Sequence, residues 1–379
     1  MVKKILILIA IVGSCCAAEW AYLHRDIPPL PLNTKEQKMI NTLFEKTKPQ
    51  CIGRYIYQVP LSFTNDLYDG AKINEIKISS ERIYRPVFEQ RIRLREQELK
   101  NEKTVNPKNA PYLKQVIPLK NLEAIIFDRN ENGSTAGYGR ILEGHLYSNG
   151  VAFTVTTDIM DFSDPKFHQN KCEYLAAGVR EQFLDSKNAK LAEMQNLLSR
   201  LKGRKDDEVP TEVGTCIAEG FIADNNQENK EEILIRYTFN DFILAVSSDN
   251  TFSPGETLFD RSKAIEAALL TTGSNTIRKD KFSLPGFDAQ EWLISGKQEV
   301  EDRLVTGYLF TLYANEKTAD YHHPVLSLTL HNPGKETRAY SSDQLVEIWD
   351  RIIKTFQLRQ GAFSVSYTHL RAHETCADL

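Results

Sequence analysis

The sequence is short of the residue patterns that most enzymes are built on. It has no H-E-x-x-H pair, which excludes the helical zinc-hydrolase arrangement, and no P-loop to cradle a nucleotide phosphate. Gly137-x-Gly139 lacks the third glycine and the strand–helix setting of a dinucleotide site. The nearest string to a nucleophile elbow, Gly133-Ser134-Thr135-Ala136-Gly137, puts its serine in the wrong place and precedes a strand, so it reads as a loop. Charge of one sign is also lacking. With 47 Lys+Arg against 51 Asp+Glu the net charge is −4, which argues against nucleic acid as a partner. The basic run Arg91, Arg93 and Arg95 is interleaved with Glu89, Glu96 and Glu98, as on a solvated helix face.

Cysteine is scarce inside the body of the chain. Cys51, Cys172 and Cys216 are the three there, which allows one disulfide and leaves one thiol over. Cys51–Cys172 is the first choice, since both fall in the same half of the chain. Three buried cysteines acting as small hydrophobes is the equal alternative.

The ends of the chain carry most of its other signals. Lys3-Lys4 followed by an apolar run from Ile5 to Val12 is a secretory signal, too short to span a bilayer as a helix. Val12-Gly13-Ser14-Cys15 fits a bacterial lipobox, with Cys15 as the acylated residue; cleavage after Ala18 is the alternative. No Asp follows Cys15, which favours the outer membrane over the inner one. At the other end, Val365 to Thr375 resembles the translated reading frame of a sequencing adapter, so His369, His373 and Cys376 are set aside as a metal site. No metal and no cofactor are expected.

One junction occurs twice. A helix containing Met39, Asn41 and Leu43 leads to Cys51-Ile52, and a helix containing Met194, Asn196 and Leu198 leads to Cys216-Ile217. The chain therefore divides as follows: residues 1–14 a lipoprotein signal peptide, 15–33 a tether stiffened by Pro28, Pro29 and Pro31, 34–202 an N-terminal domain, 203–212 a linker, 213–362 a C-terminal domain, and 363–379 a non-native tail. Gly203, a charge cluster and Pro210 mark the linker, which is expected to act as an adjustable hinge.

Within the halves, Thr34-x-x-Gln37 and Ser341-x-x-Gln344 are capping boxes, and Asn149-Gly150 is a hairpin turn. Strands are expected over Cys51–Val59, Leu122–Phe127, Gly139–Tyr147, Val151–Thr157, Cys216–Ala223, Glu232–Phe239, Asp241–Ser247, Phe287–Ser295, Arg303–Ala314 and Val325–Leu330. Helices are expected over Arg82–Lys103, Lys171–Leu201 and Glu256–Leu270. Each half is thus an antiparallel sheet with flanking helices, and the fold class is α+β with two similar domains.

No catalytic constellation emerges. His322-His323-Pro324 reads as a turn before a strand. Asp128 and Asp161 follow strands but are equally turn residues, and Asp260 and Glu266 lie on a helix surface. Trp292, Tyr308, Phe310 and Tyr313 are strand aromatics suited to a core or, second, to an interface.

A set of ordered pieces gives a family likeness. They are Cys51-Ile52-Gly53-Arg54-Tyr55 with Val59-Pro60, Gly139-Arg140-Ile141-Leu142-Glu143-Gly144 with Asn149-Gly150 and Phe153, Cys216-Ile217 with Gly220-Phe221-Ile222, and Leu258-Phe259-Asp260-Arg261. Leu284-Pro285-Gly286-Phe287, Glu291-Trp292, Gly307-Tyr308-Leu309-Phe310, Trp349 and Leu358-Arg359 complete the series. Over about residues 34–362 the chain resembles the periplasmic immunity proteins that protect bacteria from class-four type VI secretion lipase effectors. The resemblance implies a protein without catalysis, a two-domain clamp that binds a phospholipase of α/β-hydrolase type and blocks its substrate entry. It transfers no toxin-contact residue. A structural or assembly lipoprotein of the envelope is the alternative, and a periplasmic hydrolase a third.

Overall fold

The computed structural model describes residues 32–65, 70–239, 242–300, 302–332 and 339–363. The signal peptide, Cys15, nearly all of the tether and the adapter-like tail lie outside the described residues.

Helix α1 (Thr34–Leu43) starts one residue before the expected box. Asn33 is the cap: its side chain accepts from the backbone of Lys35 and Glu36, and the Glu36 carboxylate accepts from Asn33 N–H. Asn is a stronger cap than Thr, and Glu36 stands where the reciprocal bond needs it. The expected single strand at Cys51 is a hairpin, β1 (Thr47–Ile52) and β2 (Tyr55–Pro60), turning at Gly53, whose φ is 53°. Strands β3 (Thr64–Asn65), β4 (Gly70–Ile73) and β5 (Ile76–Arg82) precede helix α2 (Arg85–Asn101), whose Pro86 sits in the first turn, where its missing N–H costs nothing. Four antiparallel strands follow: β6 (Leu113–Leu119), β7 (Ala124–Asn130), β8 (Gly139–Ser148) and β9 (Val151–Met160). Asn149 and Gly150 both have positive φ between β8 and β9, as a tight hairpin requires. The expected long helix is broken into α3 (His168–Ala176), α4 (Glu181–Leu184) and α5 (Lys187–Arg200).

The second half contains β10 (Leu201–Gly203), β11 (Gly214–Ile217), β12 (Gly220–Ala223), β13 (Glu231–Phe239) and β14 (Phe242–Asp249). Helix α6 (Ser262–Thr272), the long strands β15 (Asn275–Leu284), β16 (Phe287–Val300) and β17 (Arg303–Ala314), then β18 (Val325–His331), helix α7 (Ser342–Ile353) and β19 (Gln357–Leu358) complete it. The capping box of α7, Ser341 with Gln344, is in place.

The two halves share one sheet. Its order is β15-β16-β17-β18-β14-β13-β4-β5-β9-β8-β7-β6, with β3 also on β13. The crossing point is β13 against β4, where Ile233 opposes Ala71 and Leu234 opposes Gly70. Opposed residues, and residues two apart on a strand, share a face. One face can therefore be followed from Leu293 through Phe310, Leu330, Leu244 and Tyr237, then from Ile233 through Ala71, Ile78, Val155 and Gly144 to Ile126. This is the core face. Helix α5 covers it in the first half, where a Cβ on Gly144 would lie 3.1 Å from Met194 Sδ. Helix α7 covers it in the second, with Trp349 edge-on to Phe310. Between the helices lie two small sheets, β1-β2-β19 and β10-β12-β11. Tyr57 and Tyr237 join hydroxyls there at 2.8 Å, and Gly220 lets β12 approach Phe153.

Candidate interaction surface

The repeated junction meets itself. Gly53 and Cys216 exchange backbone hydrogen bonds of 2.8 and 2.9 Å, and Cys51 and Cys216 form a disulfide across 165 residues. The expected pair Cys51–Cys172 is therefore wrong. Cys172 is exposed on α3, its sulfur 3.7 Å from His168 Nε2, whereas Cys51 and Cys216 are both fully buried on adjoining edges of the two small sheets. Closing a loop of this length stabilises the fold by about 5 kcal/mol in the chain-entropy account.

Three arginines surround this seam; Arg54 and Arg359 entered the sequence analysis only as pieces of the family likeness, and Arg204 not at all. Arg204 is buried, and its guanidinium donates to the carbonyls of Gly220, Lys205, Asp206, Glu208, Cys51 and Ile217 at 3.0–3.2 Å. Arg359 donates to Pro210, Glu212 and Gly214. Burial, with Arg54 nearby, lowers its pKa to about 10. Arg54 donates to Ala362 O at 2.7 Å, to Glu231 Oε1 at 2.8 Å and to the Tyr321 hydroxyl at 2.7 Å, while the Tyr321 hydroxyl donates to Asp224. Burial raises the pKa of Glu231, and the Arg54 charge opposes that.

The stretch 203–212 is thus not an adjustable hinge. Gly203 pairs in β10, so close to Ser148 that a Cβ would lie 2.1 Å from its carbonyl oxygen, and the carbonyls of 205, 206, 208, 210 and 212 are held by Arg204 and Arg359. Glycine, charge and proline resemble a linker in sequence because the arginines that bind their carbonyls stand elsewhere in the chain or look like surface charge.

The remaining sequence candidates divide between packing and surface. Asp128 is buried between Arg140 Nε at 3.1 Å and Lys187 Nζ at 2.8 Å; Asp161 also pairs with Arg140. Both are structural ion pairs. His323 faces Asp320 on an exposed turn, and His322 lies beside the rings of Tyr321 and Phe363. Asp260 pairs with Lys317, and Glu266 with Lys279. Tyr308 and Phe310 are buried against the core. Among the described residues no group of three or more His, Cys, Asp or Glu could hold a metal, and no helix is long and apolar enough to cross a membrane.

The other face of the sheet is built differently. Helix α2 stands over one end, where Arg95 grips the buried Glu143 on β8 through two bonds of 2.8 Å and Phe88 packs on Tyr147. Burial raises the pKa of Glu143, but Arg95, His145 and Arg129 outweigh it and hold the carboxyl well below its ordinary value. Helix α6 stands over the other end, where Lys279 of β15 donates to Ser262 and lies 4.1 Å over Trp292. The strands between are bare of helices. One row across them reads Ile294, Leu309, His331, Ile243, Thr238. The next reads Trp292, Thr311, Thr329, Ala245, Arg236, and the third Gln290, Tyr313, Ser327, Ser247, Leu234. His331 is held neutral to lower pH than usual by burial and by Arg236. Leu309 is 43% exposed and Leu234 36%. These three rows hold no carboxylate and no lysine. Tyr313 belongs here, at the surface, not in the core.

Both halves match a single family. Residues 48–204 match the Tle cognate immunity protein 4 N-terminal domain and residues 208–361 its C-terminal domain. The chain belongs to the Tle cognate immunity protein 4 family. It carries both domains of a Tle cognate immunity protein. No curated protein matches the chain. Among solved structures it is similar to the apo immunity protein TplEi of the Pseudomonas aeruginosa type VI secretion system, with a TM-score of 0.65 at 18% identity, over 84% of this chain and 98% of that one. The Tle4–Tli4 complex gives 0.63 at 17% identity, over 84% and 98%. TplEi bound to an "L" peptide gives 0.59 at 18% identity, over 83% and 98%. These likenesses show the fold of the family.

Proposed function

We propose that the protein binds its cognate Tle lipase effector, a phospholipase of α/β-hydrolase type, in the periplasm, and neutralises it by covering its substrate entry. The observation that carries this reading is the pair of consecutive domain matches across both halves, on a frame whose halves share one sheet and one disulfide. Neutralisation by covering needs a large fixed surface and no pocket of its own. The lipobox at Cys15 supports an acyl anchor that holds the protector at the membrane a lipase attacks.

The test is to mix the purified chain with a candidate cognate lipase, sought first among the neighbouring genes. A one-to-one complex and loss of phospholipid hydrolysis are expected. Absence of binding at about micromolar concentration, where even an interaction of roughly 8 kcal/mol registers, overturns the reading. For the anchor, Cys15→Ser should move the protein from the membrane fraction to the soluble periplasm. Unchanged fractionation overturns that part.

A further inference from the structure

A polar cleft lies where the two halves cross. Its volume is about 310 Å³, at the lower end of the roughly 300–1,000 Å³ of small-molecule sites. Helix α5 supplies one wall, the β4–β5 turn a second, and the loop between β12 and β13 a third. The buried side chains of Ile73, Ile76 and Leu197 are its apolar lining.

The rest of the lining is polar and already bonded within itself. Asn74 donates to Glu193 Oε1 at 2.7 Å and to Asn229 Oδ1 at 3.4 Å, and its own oxygen accepts from Lys230 N–H at 3.0 Å. Asn229 donates to Asn225 Oδ1 at 3.1 Å, and Asn225 donates to Gln227 Oε1 at 3.0 Å. Arg200 donates through Nε to Asn196 Oδ1 at 3.0 Å and through Nη1 to Ala223 O at 2.6 Å. Lys190 Nζ reaches Glu193 Oε2 at 3.1 Å. Every side-chain oxygen of the lining thus accepts a hydrogen bond. The groups left over are all donors: Arg200 Nη2, Asn196 Nδ2 and Gln227 Nε2 have no partner among the described residues. The charges are similarly one-sided. Glu193 is compensated by Lys190, whereas Arg200 has no carboxylate within ion-pair distance. The nearby Asp224 and Glu231 pair with Arg54 instead.

We propose that this cleft binds a sugar bearing one carboxylate, its acid group on Arg200, its hydroxyl oxygens on Asn196 and Gln227, and its C–H face on the apolar lining. A guanidinium without a counter-ion takes a single carboxylate in charge-assisted hydrogen bonds. Free amide N–H groups call for acceptor oxygens, which a sugar carries in number. A peptide fits less well, because its own N–H groups would meet donors. A metal cation finds no free oxygen here, and no aromatic ring lines the cleft to stack on a nucleotide base. The walls come from both halves, so an occupant ties β4 and α5 of the first to the 225–229 loop of the second. This reading is independent of the effector.

The experiment titrates the full chain by calorimetry with glucuronic acid and N-acetylmuramic acid. N-acetylglucosamine, acetate and triglycine are the comparisons, and thermal melts check folding. The acidic sugars should bind at least about tenfold more tightly than the neutral one. At about ten times Kd they should raise the melting temperature by about 2 °C. Arg200→Gln should erase the preference for the acid, and Asn196→Leu, at an exposed position, should weaken both sugar classes about fivefold. Lys38→Glu on α1 is the control and should leave binding unchanged. If Arg200→Gln fails to fold, Asn196→Leu and the acid-to-neutral ratio of the unsubstituted chain carry the test. Sedimentation of the chain with insoluble cell-wall glycan would assign the sugar to a polymer, and binding of the free acids alone to a soluble sugar; either upholds the cleft. No binding of the acidic sugars at about 10 mM overturns it. So does binding of acetate as tight as that of the sugar acids, binding of triglycine alone, or undiminished sugar binding by the folded cleft variants.

Discussion

The two faces of the long sheet differ in what they ask of each residue. On the core face, Leu293, Phe310, Leu330, Leu244 and Ile233 are buried beneath α5, α7 and two small sheets. On the other face, directly between them in sequence, stand Thr311, Thr329, Ala245 and Leu309, half-exposed or exposed. The same strands therefore present two kinds of surface by alternation alone. One face holds the halves together; the other stays half-exposed. The seam belongs to the first. Its disulfide and buried arginines make two similar domains into one frame.

That contrast can be tested by substituting one face and then the other. The largest effect is expected on the core face. Trp349→Ala removes a fully buried ring that packs on Phe310 and donates to Glu291, and should lower stability by about 3–5 kcal/mol in chemical denaturation. Removing the seam disulfide with Cys51→Ala and Cys216→Ala together should cost about 2–5 kcal/mol, measured the same way, whereas Cys172→Ala should cost little because that thiol is exposed and unbridged.

A smaller effect should follow pH. Glu143, which anchors α2, has its folded pKa held below the unfolded value by Arg95, His145 and Arg129. The folded state then binds fewer protons than the unfolded state at low pH. The stability this carboxylate contributes is complete above its ordinary pKa of 4.5 and is lost as pH falls below it toward the folded value. Acid unfolding curves should show this limb, and Glu143→Gln should flatten it. The smallest effect on stability is expected on the bare face. Thr329→Ala and Ser327→Ala should stay within about 0.5 kcal/mol in melts, since surface positions without buried partners are tolerant.

What was legible in the sequence depended on whether the signal was local. The Asn149-Gly150 hairpin, the Ser341–Gln344 cap and the apolar stripe of α7 are written within a few residues, and each is where the pattern placed it. The short hairpin of β4 and β5 was not legible, because its turn at Asn74 and Glu75 lacks the usual glycine and its strands alternate lysine with isoleucine over few residues. Strand β15, with its charged Arg278-Lys279-Asp280-Lys281 run, also reads as loop until Arg278 is seen between Glu291 and Asp350. The pairing of β13 with β4 joins residues more than 150 positions apart, and no pattern within either strand announces it. The candidate surface depends on the register of five strands, β16, β17, β18, β14 and β13. Its residues, six of the fifteen of them threonine, serine or alanine, look ordinary one at a time. The duplicated Cys-Ile junction was visible, but not that one copy bonds to the other.

Hydrogen exchange of the chain with its disulfide intact and reduced tests the single frame most directly. Faster exchange is expected on reduction in β1, residues 47–52, and in β11, residues 214–217, on both sides of the seam, with α2, residues 85–101, unchanged. Exchange that speeds up on one side of the seam alone, with the other as in the oxidised protein, would contradict a single frame held by both halves.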